Sequence, residues 1–186
     1  MNIPSNGSAF RNTRFKQKQA SLTLAVLLVI SLFQAGCGQT DTSQYRASVK
    51  ASADSMAQFL LKKEYTSFAR FTHPKIIEML GGREKMIQVI SQSLSQMDSS
   101  GFKITGVVIG APGPIIRADN QLQCILTQNM QMNVNGKTNA TLSNLVAVSF
   151  NEGKSWVFID CQKKNLEEVR NVFPELSNKL EIPDRH

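Results

Sequence analysis

At Gly101 the spacing of apolar residues changes from about 3.6 to two, and that switch divides the foldable part of the 186-residue chain into helices followed by strands. Upstream, Tyr45, Val49, Ala53, Met56, Phe59 and Leu60 fall on one face of a helix over 45–63, with Lys50, Asp54 and Lys62 on its other faces. Tyr65, Phe68 and Phe71 keep the helical spacing until Thr72-His73-Pro74, where the proline disfavours helix in the residue before it. A third segment, 75–80, ends at Gly81-Gly82, and a fourth runs from Arg83 to about Met97 with Met86, Ile87, Ile90, Leu94 and Met97 as its apolar stripe.

Downstream, strand patterns cover 102–109, 115–117, 122–134, 140–150 and 155–161, separated by turn formers such as Gly110-Ala111-Pro112-Gly113-Pro114 and Asn151-Glu152-Gly153-Lys154. Helices first and strands afterwards predict a single α+β domain, its N-terminal helices packed on one face of a curved, mostly antiparallel sheet. A short C-terminal helical tail follows, opened by Asn165 as cap, with Leu166, Val169, Val172 and Phe173 as its packing face and Leu176, Leu180 and Ile182 continuing along the domain surface.

The long hairpin carries a register prediction. Leu122, Cys124, Leu126, Met130 and Met132 share a face interrupted by Gln128; Ala140, Leu142, Val146 and Val148 share one interrupted by Asn144. Opposing Val134 to Thr138 brings the two interruptions together as a Gln128/Asn144 amide pair. That register predicts a three- or five-residue loop or a bulge rather than a two-residue Asn-Gly turn. It also sets Cys124 opposite Val148 and Cys161 near Asn144 or Leu145, on the order of 14–17 Å apart, beyond the reach of a disulfide. Both thiols are expected reduced.

The N-terminus has the order of a signal peptide: polar and basic to Gln19, apolar from Ala20 to Phe33, then Gln34-Ala35-Gly36-Cys37. The apolar run falls short of the roughly 20 residues that span a bilayer, so it targets rather than anchors. Ala35 and Gly36 before a cysteine resemble the lipobox of bacterial lipoproteins, with Gln34 where an aliphatic residue is usual. The resemblance implies cleavage between Gly36 and Cys37 and attachment to the Cys37 thiol of a diacylglycerol, with acyl chains such as palmitate, which holds the protein on a membrane surface of the cell envelope. Gly38 after the cysteine resembles the pattern that permits sorting to the periplasmic side of the outer membrane in a Gram-negative cell. The expected organisation is a signal peptide over 1–36, a lipidated tether over 37–44 and the α+β domain over 45–186.

The formal net charge is +7, but Arg11, Arg14, Lys16 and Lys18 lie in the leader, which has no acidic residue. The remaining 17 basic and 14 acidic residues leave about +3, without basic runs or interleaved aromatics, which argues against nucleic-acid binding. Only His73 and His186 are histidines, and no Cys or His pair has ligand spacing, so no metal and no cofactor are expected. His73, beside a proline, reads as a loop or helix-end residue. No serine elbow, Cys-His pair or phosphate-binding loop is present. Trp156 reads as core.

Glu64-Tyr65 with its short helix, Gly81-Gly82-Arg83-Glu84, and Glu152-Gly153-Lys154-Ser155-Trp156-Val157-Phe158-Ile159-Asp160 resemble uncharacterised bacterial envelope proteins of the nuclear-transport-factor-two-like (cystatin-like) fold, over 45–161. The resemblance implies an apolar pocket between helices and concave sheet, and the fold by itself assigns no activity. Tyr65, Gln128 and Asp160 are the candidate pocket residues. The expectation is a non-enzymatic binding or accessory lipoprotein whose partner is an envelope protein, a peptide or a small apolar ligand. The alternative is an isomerase or lyase, which needs a desolvated carboxylate within reach of a tyrosine or second acid. An assembly component would instead show a broad exposed apolar patch.

Overall fold

Four helical segments precede the sheet because each has one apolar face and a residue that ends it. The computed structural model describes residues 42–162 and 164–182, all within one compact unit; the signal peptide, its cleavage site at Gly36 and Cys37, and most of the tether lie outside the described residues. Helix α1 spans Thr42–Leu61, so Thr42, Ser43 and Gln44, read above as tether, form its first turn. Helix α2 (Tyr65–Phe68) passes into a 3-10 turn, Ala69–Phe71. Helix α3 (Pro74–Met79) has proline at its first position and takes its cap from the His73 side chain, whose Nδ1 accepts the Lys75 amide at 3.3 Å. Helix α4 (Arg83–Ser99) starts after Gly81-Gly82, both at positive φ, and buries only Met86 fully; the rest of its stripe is half-buried.

The strands are β1 (Phe102–Ile109), β2 (Ile116–Ala118), β3 (Gln121–Val134), β4 (Lys137–Ser149) and β5 (Val157–Asp160). They form one antiparallel sheet in the order β1-β3-β4-β5, with β2 pairing β3 beyond the end of β1. Thr72 bridges Phe158 on the far side of β5, and the His73 amide donates to Phe158 O at 3.1 Å. The α+β architecture expected from the change of period is the one observed.

The expected hairpin register is not. Val134 pairs with Lys137 across a two-residue Asn135-Gly136 turn, both residues at positive φ (51° and 86°), the mirror-image turn that Asn-Gly favours. Gln128 therefore faces Ser143 and Asn144 faces Thr127, so the two amides lie on opposite faces of the sheet and form no pair. The expectation failed because it gave β4 one buried face. Asn144–Ser149 is buried at every residue: Leu145 and Ala147 face the helices, while Val146 and Val148 face the other way. The distal residues 137–142 are all exposed, so the turn sets the register there at no cost in burial.

What covers the second face is the tail. Helix α5 (Leu166–Val172) is capped by Asn165 Oδ1, which accepts the Glu168 amide at 2.9 Å, as its sequence implied. Val169, Phe173, Leu176 and Leu180 then close over Ile125, Val146, Val148 and Ile159. On the opposite face, Val49, Ala53, Met56 and Ala57 of α1 join Cys124, Leu126, Leu145, Ala147, Trp156 and Phe158. Trp156 is core, its Nε1 donating to Ser48 Oγ at 3.2 Å. Gly153 lies where a side chain would run into the ring of Tyr45, at φ 75°. Cys124 faces Ala147 rather than Val148, and Cys161 bonds to Asn144 O as expected. The two thiols are free, buried, and on opposite faces of the sheet, and burial pushes them up to about 12 and about 11 respectively.

One buried side chain fastens the tail. Gln123 is fully buried; its Nε2 donates to Glu175 O (3.0 Å) and Gln121 Oε1 (2.9 Å), and its Oε1 accepts the Ser177 amide (2.9 Å). Gln123→Ala leaves those tail groups without partners, and urea titration should show a loss of about 2–3 kcal/mol, with faster amide exchange over 173–180. An unchanged midpoint would mean that the tail docks by other means.

Candidate ligand pocket

The helices cover the sheet tightly at one end, where α1 presents Ala53 and Ala57, and more loosely towards the Asp160 end. There a pocket of about 300 Å³ opens between the layers. Met56 and Leu60 of α1, Phe68 and Phe71, Ile76 and Leu80 of α3, and Met86 and Ile90 of α4 form its helical wall. Met130, Leu145 and Phe158 form its sheet wall. The Phe71 ring stacks on Phe59 at 5.9 Å and on Phe158 at 6.5 Å, which fixes it between helix and sheet. The polar groups lining the pocket are Thr72, Gln128, Asp160 and Gln162.

Two shallower recesses adjoin. One of about 210 Å³ lies between α3 and α5 and shares Ile76, Leu80 and Asp160 with the pocket. Another, of about 650 Å³, lies on the open end of the hairpin and shares Gln128, Met130, Asp160 and Gln162. Asp160 thus borders all three. It is placed by pairing with Leu145, which turns its side chain to the helix face of the sheet. Its Oδ1 accepts the Gln162 amide at 2.8 Å and the carboxylate stays exposed.

Of the three residues singled out from the sequence, the structure brings two together. Gln128 and Asp160 line the same pocket, whereas Tyr65 faces a separate cleft of about 30 Å³ beside Leu94, Met97, Phe102 and Ile104. Gln128 is buried, and its Nε2 donates a long bond (3.4 Å) to Ser143 Oγ. Its carbonyl oxygen makes no bond within the described residues. Thr72 and Phe71 were legible only as a helix end and a packing residue; nothing in their spacing marks them as pocket wall.

A carboxylate that is to abstract a proton from an apolar substrate needs burial and a second acid or tyrosine to hold the developing oxyanion. Asp160 is exposed, and no tyrosine, histidine or second carboxylate lines the pocket among the described residues. No group of three His, Cys, Asp or Glu residues able to hold a metal ion occurs among the described residues. Met56, Met86 and Met130 supply flexible, polarisable wall suited to an apolar ligand of variable shape.

Another buried polar residue, His73, stands just before helix α3. Its ring meets Phe173 edge-on at 5.1 Å and Phe150 at 5.6 Å, and its Nε2 stands 3.8 Å from Glu175 Oε1 with no hydrogen-bond partner. Burial lowers its pKa from the ordinary histidine value, Glu175 opposes the shift, and Lys75 adds to it. The unfolded chain therefore takes up this proton at higher pH than the folded one. The stability owed to neutral His73 is present above about pH 6.5 and is lost as pH falls through the lower folded value. Denaturant midpoints between pH 7.5 and 5 should fall for the native chain and stay flatter for His73→Asn, which keeps an acceptor for the Lys75 amide. Parallel curves would contradict a neutral, buried His73.

No protein-family model matches the chain, and no curated protein or solved structure matches it.

Proposed function

We propose that the chain is a lipid-anchored envelope protein whose domain binds a small apolar ligand without chemical change. The observation that carries the binding half is the pocket of about 300 Å³ with walls of Met, Leu, Ile and Phe and, among the described residues, one carboxylate, at an exposed position. That volume lies at the lower end of the range of small-molecule sites. The lipobox-like Gln34-Ala35-Gly36-Cys37 carries the other half, and no described helix is long and apolar enough to cross a membrane. Helices followed by a five-stranded antiparallel sheet that encloses an apolar pocket support kinship with the nuclear-transport-factor-two-like fold.

Two measurements test the two halves separately. In a bacterial host that processes lipoproteins, the mature protein should begin at Cys37 and carry the mass of a diacylglycerol; Cys37→Ser should leave the membrane fraction. An unmodified sulfur, or equal membrane retention of the serine variant, contradicts the anchor. Protein purified from native membranes should carry an extractable apolar compound, and Met130→Trp, which fills the pocket from its sheet wall, should carry at least tenfold less. Equal loading of both proteins contradicts binding at this pocket.

A further inference from the structure

The charge and hydrogen-bonding character of the pocket mouth select among apolar ligands. We infer that the pocket takes a single-chain amphiphile with an alkylammonium head, its tail against Phe71, Met86 and Phe158 and its head among Asp160, Gln128 and Thr72. The inference deepens the binding function proposed above and rests on it.

Among the described residues, Asp160 is the one charged side chain lining the pocket, and no described lysine or arginine shares that lining. The adjoining recesses add Lys164 and Glu168, whose charges cancel, so among the described residues the opening carries one excess negative charge. Its free polar groups include three acceptors, beside the side-chain amide of Gln162 and the hydroxyl of Thr72, which can also donate. Asp160 gives one oxygen to the Gln162 amide and has the other to offer, and the Gln128 carbonyl oxygen makes no bond among the described residues. The Thr72 hydroxyl can accept as well. An ammonium group donates three N–H bonds, accepts none and is positive, which complements this set. A fatty-acid carboxylate would meet the like charge of Asp160 at the same place, with Lys164 of the adjoining recesses offset by Glu168.

The size agrees with one tail. At the roughly 30 Å³ that a water-sized group occupies in a liquid, the pocket has room for about ten methylene-sized groups. A two-chain phospholipid exceeds it.

The test uses the full chain in its membrane and three ten-carbon probes that carry a photoreactive diazirine near the tail end, differing only in an amine, alcohol or carboxylic acid head. After irradiation, pocket peptides containing Phe71, Met86 or Phe158 are quantified by mass spectrometry. The amine should label them at a concentration at least tenfold below that needed by the acid, with the alcohol between. Asp160→Asn keeps an acceptor for the Gln162 amide, and it should bring the amine down to the level of the alcohol. Equal labelling by amine and acid, or an amine preference unchanged in Asp160→Asn, overturns the head-group assignment and leaves pocket binding standing. Absence of pocket labelling by all three probes overturns the binding function itself, and the inference with it.

Discussion

Leu122–Leu126 of β3 and Asn144–Ser149 of β4 are buried on both faces of the sheet, and the need to cover both faces organises everything else. On one face α1 and the short helices supply the cover. On the other it comes from the last described stretch of the chain, Val169 to Leu180. Burial of apolar surface at roughly 25 cal/mol per Å² favours both layers. The outer layer is also made specific by Gln123, a buried amide in a strand that would otherwise be apolar there. Without the tail, that amide would lose Glu175 O and the Ser177 amide at the same moment that Ile125, Val146 and Val148 lost their cover. Tail docking and sheet stability are one event, and His73, wedged between Phe150 and Phe173, ties α3 to it.

Much of the fold was legible because it rests on local rules. The period change at Gly101, the proline after His73, the paired glycines before Arg83 and the Asn165 cap each mark a boundary whose physics is contained in a few residues. The hairpin register was not legible. Pattern matching opposed the apolar face of β3 to the longest alternating set in β4, which is sound when one face of a strand is buried. In β4 the alternating set Val146 and Val148 belongs to the tail side, while Leu145 and Ala147 belong to the helix side. A run of consecutive buried residues gives no phase, so turn chemistry at Asn135-Gly136 was the better guide. The residues of the tail that covers a sheet face, Phe173, Leu176 and Leu180, were legible as a helix packing face and a run along the domain surface, without the sheet face they cover.

The pocket shows the same division. Gln128 and Asp160 were legible as polar residues in a strand face and at a strand end, and they share the cavity. Tyr65 was not separable from them, because the direction in which α2 turns its side chains depends on α4 and β1, against which it packs. The helical wall draws on four successive segments whose relative packing is set by tertiary contacts, so no motif could announce it. The pocket lies where the double cover ends. Beyond Ser143 towards the turn, β4 has β3 on one side and no strand on the other, and the helix face opens into the recess that continues from the pocket. A ligand there would complete the helix-side cover that the chain itself leaves unfinished, which is the physical basis of the binding function proposed.

Residue-resolved amide hydrogen exchange on the native chain tests this two-sided cover most directly. Amides of 122–126 and 145–148 should exchange only with global unfolding, while those of Thr138, Ala140 and Leu142, which point away from β3 on the open edge, should exchange orders of magnitude faster. Uniform protection along β4, or rapid exchange at Gln123 and Ile125, would contradict it.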